Sequence, residues 1–271
     1  MPEGHTIHRL AGHLWSAFGD HRVMASSPQG RFAAGAALVD GQILTSTDAY
    51  GKHLFLGFGD APEWVHVHLG LIGRFDLQRV TDRLPPPSST VRLRLAAPGW
   101  HADLRGAMVC EIVNDDGKAT IQARLGPDPL RDDADAGRVV TRVLASPRAI
   151  AALLMDQAVV SGVGNVYRAE VLFRAGLDPV TPGRSLDTDT IRALWDDLQA
   201  LMRIGVKTGR IDTVRPEHDP ESMGRPPRED DHGGEVYVYR RTGLPCLVCQ
   251  TQISTRVVEG RNLFWCQNCQ R

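Results

Sequence analysis

The sequence predicts an α+β protein: an N-terminal helix with an antiparallel β-sandwich, then a helical part, then a small four-cysteine module. Three observations predict it. Apolar residues recur at helical spacing over residues 4–18 and again beyond residue 147. Between residues 22 and 113, short apolar runs alternate with Gly, Pro and Asp turns, as regularly spaced antiparallel strands do. The chain closes on Cys246-x2-Cys249-x16-Cys266-x2-Cys269, a spacing that suits a tetrahedral four-thiolate zinc ribbon; disulfides are the alternative.

Composition sets the frame. A chain of 271 residues, 42% hydrophobic and 23% charged, is a soluble globular protein of one large or two ordinary domains. No apolar run approaches the ~20 residues of a membrane span, and the first 25 residues lack a signal-peptide core, so the expected location is cytoplasmic, with no membrane partner. Net charge is −1, so global charge does not announce a nucleic acid, but residues 240–271 carry five arginines against Glu259 alone. That tail reads as a phosphate footprint or as a solvated surface.

Residues Met1-Pro2-Glu3-Gly4 carry the first chemical signal. If Met1 is removed, Pro2 becomes a secondary amine beside a carboxylate. Such an amine attacks a sugar aldehyde carbon, and the iminium formed has no N–H to lose, so it stays cationic. An α-amino group titrates near ~8, closer to neutrality than a lysine near ~10.4. The other reading is an exposed chain start. The helix that follows carries Ile7, Leu10, Ala11, Leu14 and Phe18 on one face, which would fix the terminus against the body.

Strands are expected at Gly41–Thr47, His53–Phe58, Trp64–Leu69, Val91–Leu95 and Met108–Val113; clean alternation in Val91–Leu95 predicts one wet face. Residues 83–89, with three consecutive prolines, form a loop. Lys52 enters one strand and by itself reads as a surface strand-end lysine. His66 and His68 share a strand face, which raises a metal site without an evident third ligand. Residues 125–138 read as an interdomain passage. A helix is expected over Pro147–Val159, then the turn Ser161-Gly-Val-Gly-Asn165, then helices at Tyr167–Ala175 and Thr188–Ile204. The turn is packing punctuation or a backbone phosphate site at a helix start. Lys207–Gly234 reads as a flexible loop, and Cys110 as a core residue. The expected division is 1–130, 131–235 and 236–271.

Taken together, Pro2-Glu3, Gly51-Lys52, His68-Leu69-Gly70 and the stretch Leu153–Glu170 resemble the formamidopyrimidine-DNA glycosylase/endonuclease VIII family, in one order along almost the whole chain. Gly4 after the glutamate is similar to the endonuclease VIII branch; Thr6 departs from the glutamate many members carry. The resemblance implies a helix–two-turn–helix domain and a zinc finger. It also implies a bifunctional DNA glycosylase and abasic-site lyase of base excision repair, acting as a monomer on double-stranded damaged DNA. Pro2 would be the nucleophile, Glu3 the general acid, and Lys52 and Arg261 the phosphate and proton-transfer partners. Leu71 would fill the gap left by an everted base, Gly164 and Asn165 would grip the backbone, and Cys246, Cys249, Cys266 and Cys269 would hold one structural zinc ion.

Asp103-Leu-Arg-Gly-Ala107 stands where the formamidopyrimidine branch has an Asp-Pro-Arg-Arg-Phe-Gly loop, without its aromatic, and Arg105 has Asp103 as an alternative partner. Ala158 stands where that branch commonly has lysine. The expected substrates are therefore oxidised pyrimidines. The rivals are an 8-oxoguanine/formamidopyrimidine glycosylase and a catalytically idle zinc-containing DNA-binding protein.

Overall fold

The computed structural model describes residues 2–60, 63–229 and 234–271. The chain divides into two compact units, residues 1–124 and 125–271. The expected segments 131–235 and 236–271 share one hydrophobic core, in which Val160, Tyr167 and Leu198 join Ile253, Leu263 and Phe264. No helix among the described residues is long and apolar enough to cross a membrane.

The first unit opens with α1 (Gly4–Phe18), whose stripe of Ile7, Ala11, Leu14 and Phe18 is buried. Among the described residues its strands are β1 (Arg22–Ser26), β2 (Gln42–Tyr50), β3 (His53–Phe58), β4 (Glu63–His68), β5 (Arg74–Arg79), β6 (Leu93–Ala97), β7 (Trp100–Arg105) and β8 (Val109–Asn114). They run β5-β7-β6-β1-β2-β3-β4-β8, with every pair antiparallel. β1 joins the two layers of the sandwich. Arg22 and Val23 pair with β2, while Met24, Ala25 and Ser26 pair with β6. The core between the layers takes alternate residues, Leu54, Leu56, Val65 and Val67 from one side and Leu93, Leu95, Ala102 and Leu104 from the other. Two short helices, α2 (Ala33–Val39) and α3 (Asp115–Ala123), complete the unit. Strands β1, β5 and β7 and both helices were not among the elements expected from the apolar runs; β5 and β7 mix polar residues into their sequences, and β7 buries His101 and Asp103 among them.

One expectation is reversed here. The alternating strand predicted a wet face, but β6 is buried along its whole length. Arg94, 5% exposed, donates from Nε and Nη2 to the two Asp103 oxygens at 2.6 and 2.7 Å. Asp103 also accepts from Arg105 at 2.7 Å, and Arg105 reaches Asp76 at 3.1 Å. Burial pushes the Asp103 pKa up, but the Arg94 hydrogen bond and the charges of Arg94 and Arg105 outweigh it, and it lies below the usual carboxylate range. Asp103→Asn leaves Arg94 buried and underpaired, and should cost about 3–5 kcal/mol. Because the folded pKa is depressed, this stability is complete above the ordinary carboxylate pKa of ~4 and fades as pH falls through the depressed value. Urea unfolding at neutral and acid pH checks both; an unchanged midpoint in Asp103→Asn would refute the assignment.

The second unit contains α4 (Ala136–Leu144), α5 (Ile150–Leu153), α6 (Asn165–Arg174), α7 (Thr188–Thr208) and the hairpin β9 (Ser254–Val258) and β10 (Arg261–Trp265). α4 begins inside the stretch read as a passage: Asp135 caps Gly137 N at 2.8 Å, and Val139 and Val143 enter the core. The helix expected over Pro147–Val159 is a single turn. After it, side chains compete for the backbone. Asp156 Oδ1 accepts from Ala158 N at 3.0 Å, and Gln157 bonds Met155 O, Val163 O and Gly162 N at 2.9–3.0 Å.

The segment expected as a loop, Lys207–Gly234, begins in the last turn of α7 and is otherwise irregular over its described part apart from a 3-10 turn at Pro216–His218. Its anchor is Glu170 of α6, 0% exposed. The carboxylate accepts from Thr213 Oγ1 and Tyr237 N at 2.6 Å, Tyr239 N at 2.8 Å and Val238 N at 2.9 Å. The segment 230–233 lies outside the described residues.

Candidate functional site

In the first unit Glu3 and Lys52 adjoin elements that pack together, since α1 lies against β2 and β3. Glu3 precedes α1 in extended conformation, and its carbonyl accepts Thr6 N at 2.9 Å. Its side chain makes no capping bond to the helix and is 0% exposed. A fully buried carboxyl at the start of a helix is a candidate chemical position. Pro2 beside it is half-buried. Lys52, also half-buried, sits in the tight turn between β2 and β3, where Tyr50 pairs with His53 and Gly51 takes the left-handed region that favours glycine (φ 58°).

The turn after β4 projects apolar side chains into solvent. Leu71 is 55% exposed, Ile72 84% and Met108 65%. They belong to one place: Met108 N donates to His68 O at 2.9 Å, and a Cβ on Gly70 would lie 3.1 Å from that of Met108. Ile72 and Met108 were not singled out from the sequence. The signal available was two large apolar residues flanking glycines, where burial gives no reason for them. Arg105 is held by Asp103 and Asp76, so the ion-pair alternative for it is the one observed.

His66 and His68 share a face as expected. His66 bonds His53 and Glu111, and His68 Nδ1 accepts Gly70 N at 3.1 Å. Among the described residues, the group arranged to hold a metal ion is the four cysteines instead.

In the second unit, the glycine turn and the C-terminal hairpin form one cluster. Gly164 caps α6, and Asn165 at its first position donates Nδ2 to Asn262 O at 3.0 Å. Arg168, 1% exposed, donates to the same carbonyl at 3.1 Å and to Asn165 Oδ1. Arg261, exposed, is thereby set beside the start of α6. Arg148 adds a second tie, to Asp156 at 2.7 Å and to Glu259 at 2.8 Å. Arg148, Arg168 and Arg261, with Asp156, Gln157 and Glu259, line a cavity of ≈ 330 Å³. Backbone N–H groups at a helix start beside arginines are a phosphate-binding arrangement.

The hairpin is closed by the cysteines. Their sulfurs all lie within 4.8 Å of one another, with Cys246–Cys269 at 3.8 Å and Cys249–Cys266 at 3.4 Å. A disulfide needs ~2.05 Å. Tetrahedral thiolates at ~2.3 Å from a zinc ion would stand ~3.8 Å apart, so the four fit a closed metal site.

The comparisons agree with this construction. Residues 1–108 match the family description "Formamidopyrimidine-DNA glycosylase N-terminal domain", and residues 125–216 match "Formamidopyrimidine-DNA glycosylase H2TH domain". The fold and its clusters are those of a DNA glycosylase. Endonuclease 8 1 of Mycobacterium tuberculosis is 49% identical over 275 residues, covering 100% of each chain. The formamidopyrimidine-DNA glycosylase of Thermus thermophilus is 32% identical over 242 residues, 86% of this chain and 85% of that one. The crystal structure of the Thermus thermophilus MutM (Fpg) protein matches with a TM-score of 0.76 at 28% identity, over 99% of this chain and 98% of that one. A Lactococcus lactis Fpg complex with abasic-site DNA has the same fold, with a TM-score of 0.79 at 21% identity and 99% coverage of both chains. The chain belongs to the formamidopyrimidine-DNA glycosylase/endonuclease VIII family.

Proposed function

We propose that this DNA glycosylase removes oxidised pyrimidines and then cleaves the abasic site, through a Schiff base at Pro2. The observation that supports the reading is the fully buried Glu3 carboxyl next to a proline that initiator removal would make the terminal amine. The target nucleotide leaves the stack before its sugar can be reached. Glu3 protonates the sugar ring oxygen as the Pro2 nitrogen attacks the anomeric carbon and the damaged base departs. The cationic iminium acidifies the neighbouring carbon, the 3′ phosphate leaves by β-elimination, and a δ-elimination releases the sugar. Lys52 and Arg261 serve these steps as phosphate and proton-transfer partners, and the Gly164–Asn165 turn holds the backbone. The four cysteines would hold one zinc ion, which supplies folding energy to the hairpin.

The exposed turn supports the lesion class. Leu71, with Ile72 and Met108, is a wedge able to enter the duplex. Arg105, committed to two aspartates, is not available to insert beside the opposite base. Fewer polar contacts to that base mean weaker discrimination. Duplexes differing only in lesion should show faster excision of thymine glycol or 5-hydroxycytosine than of 8-oxoguanine opposite cytosine. The reverse order would move the protein to the purine branch and leave the Pro2 chemistry standing.

A further inference from the structure

The outer face of β3, β4 and β8 carries a chain of titratable groups that the scheme above does not use. The strand registers place His53 opposite His68, Phe55 opposite His66, and His66 opposite Glu111, so all five point to one side. Glu111 Oε1 lies 2.9 Å from His66 Nδ1, and His66 Nε2 lies 2.9 Å from His53 Nδ1. The two imidazoles meet edge to edge. Their planes differ by 18°, and the 5.1 Å between centroids is the bonded distance plus little more than the two ring radii. The hydrogen bond therefore lies in the ring planes, along the nitrogen lone pair.

This order fixes the protons. The Glu111 carboxylate only accepts, so His66 donates from Nδ1 and accepts at Nε2. His53 must then donate from Nδ1, which leaves its Nε2 as a bare lone pair. His53 adjoins Lys52 in sequence, at the mouth of the β2–β3 turn. Glu111, at the other end, is 52% exposed in its side chain, while His66 between them is 4% exposed. The chain thus runs from the Lys52 turn, through a buried ring, to solvent.

The other charged groups on this face are already engaged. Lys118 of α3 pairs with Asp48 of β2 at 2.9 Å and lies 3.4 Å from the Trp64 ring centre. Asp115 accepts from Trp64 Nε1 at 2.7 Å, and His68 accepts Gly70 N at Nδ1.

We propose that Glu111, His66 and His53 form a proton relay that serves the elimination step, with His53 Nε2 as the acceptor; the proposal rests on the Pro2 reading above. As the C–H bond beside the iminium breaks, its electron pair forms the carbon–carbon double bond and the 3′ phosphate leaves with the C–O pair. The proton goes to His53 Nε2, the Nδ1 proton of His53 passes to His66 Nε2, and the Nδ1 proton of His66 passes through Glu111 to solvent. The rings return to their starting tautomers when His53 Nε2 gives its proton to the departing phosphate and Glu111 returns one from solvent. Burial, with His68, His66 and Lys52 nearby, lowers the His53 pKa to about 3, so the ring stands unprotonated in the free protein. A phosphate on Lys52 offsets one of those charges and makes it a better acceptor.

The test follows single-turnover cleavage of a preformed abasic-site duplex together with borohydride trapping, in wild type, His53→Ala and Glu111→Gln. His53→Ala should form the trapped adduct normally but eliminate about 100-fold more slowly, with the rate restored by added imidazole. Glu111→Gln, which keeps a hydrogen-bond acceptor but not the charge, should slow elimination in the same direction and by less, with a changed pH profile. Normal trapping with unchanged elimination in folded His53→Ala overturns the relay alone. Should that variant fail to fold, a wild-type rate and pH profile in Glu111→Gln overturns it equally. Wild-type protein that gives no adduct, with Met1 shown to be absent, overturns the Pro2 reading and the relay with it.

Discussion

Pro2→Gly should all but lose the borohydride-stable adduct with abasic-site DNA that the wild-type protein gives. Glycine keeps a terminal amine, but a primary one, whose imine loses its proton and its pull on the sugar carbon. Glu3→Gln separates the two halves of the reaction. The amide cannot protonate the ring oxygen, so base excision should fall by about 10²–10⁴-fold, the range of a positioned general acid. Cleavage of a preformed abasic site should fall far less, because no base has to leave. Glu3→Gln keeps the size and shape of the buried side chain. Equal losses on both substrates would remove Glu3 from its role. Mass spectrometry must accompany these assays, since a retained Met1 turns the Pro2 nitrogen into an amide and abolishes activity whatever the site contains.

Removing the metal should be the most damaging change to the second unit. Structural four-ligand zinc sites contribute on the order of 10–16 kcal/mol of binding free energy that is also folding energy. Here Cys246 and Cys266 are themselves buried core residues, alongside Ile253, Leu263 and Phe264, so losing the site disturbs the core that seats the hairpin. Chelation, or Cys249→Ser, should release β9 and β10, and with them the Asn262 carbonyl that Asn165 and Arg168 both bond. DNA affinity should then collapse although Pro2 is untouched. Arg261→Ala is the control that keeps the hairpin folded. It should weaken binding modestly and reduce the salt slope by about one, as the loss of a single phosphate contact does. Full DNA affinity in metal-free protein would exclude the cluster of hairpin and glycine turn as the DNA grip. Bound metal quantified before and after chelation tests the one-zinc stoichiometry directly.

The amino-acid sequence by itself determined the elements whose signal is local. The α1 and α7 stripes are read within a few turns of the chain, because each helix buries one face against a core and so carries its own period; β3 and α6 are buried nearly throughout and show as short, dense apolar runs. The four cysteines needed only their spacing, because a tetrahedral thiolate site imposes it. The proposal for Pro2 and Glu3 likewise starts from the identity of two residues, because a secondary amine is a property of proline.

Tertiary structure decided whatever depended on a partner distant in the chain. Arg94 alternates like a solvent-facing residue, and only β7 brings Asp103 to bury it. The stretch before Gly162 has helical periodicity, yet Asp156 and Gln157 spend their side chains on the backbone and stop α5 after one turn. The polar segment beyond Lys207 lacks any period, and four hydrogen bonds to Glu170 hold its two ends. His66 and His68 suggested a metal because alternation shows which residues share a face, but not what the next strand sets beside them. The pairing of β3 and β8 with β4 supplied His53 and Glu111, and put His66 of the apparent ligand pair into a line of hydrogen bonds while His68 accepts from Gly70 N. Period is a property of one strand or helix; the partner of a buried polar group is a property of register, and register exists only once the sheet has formed.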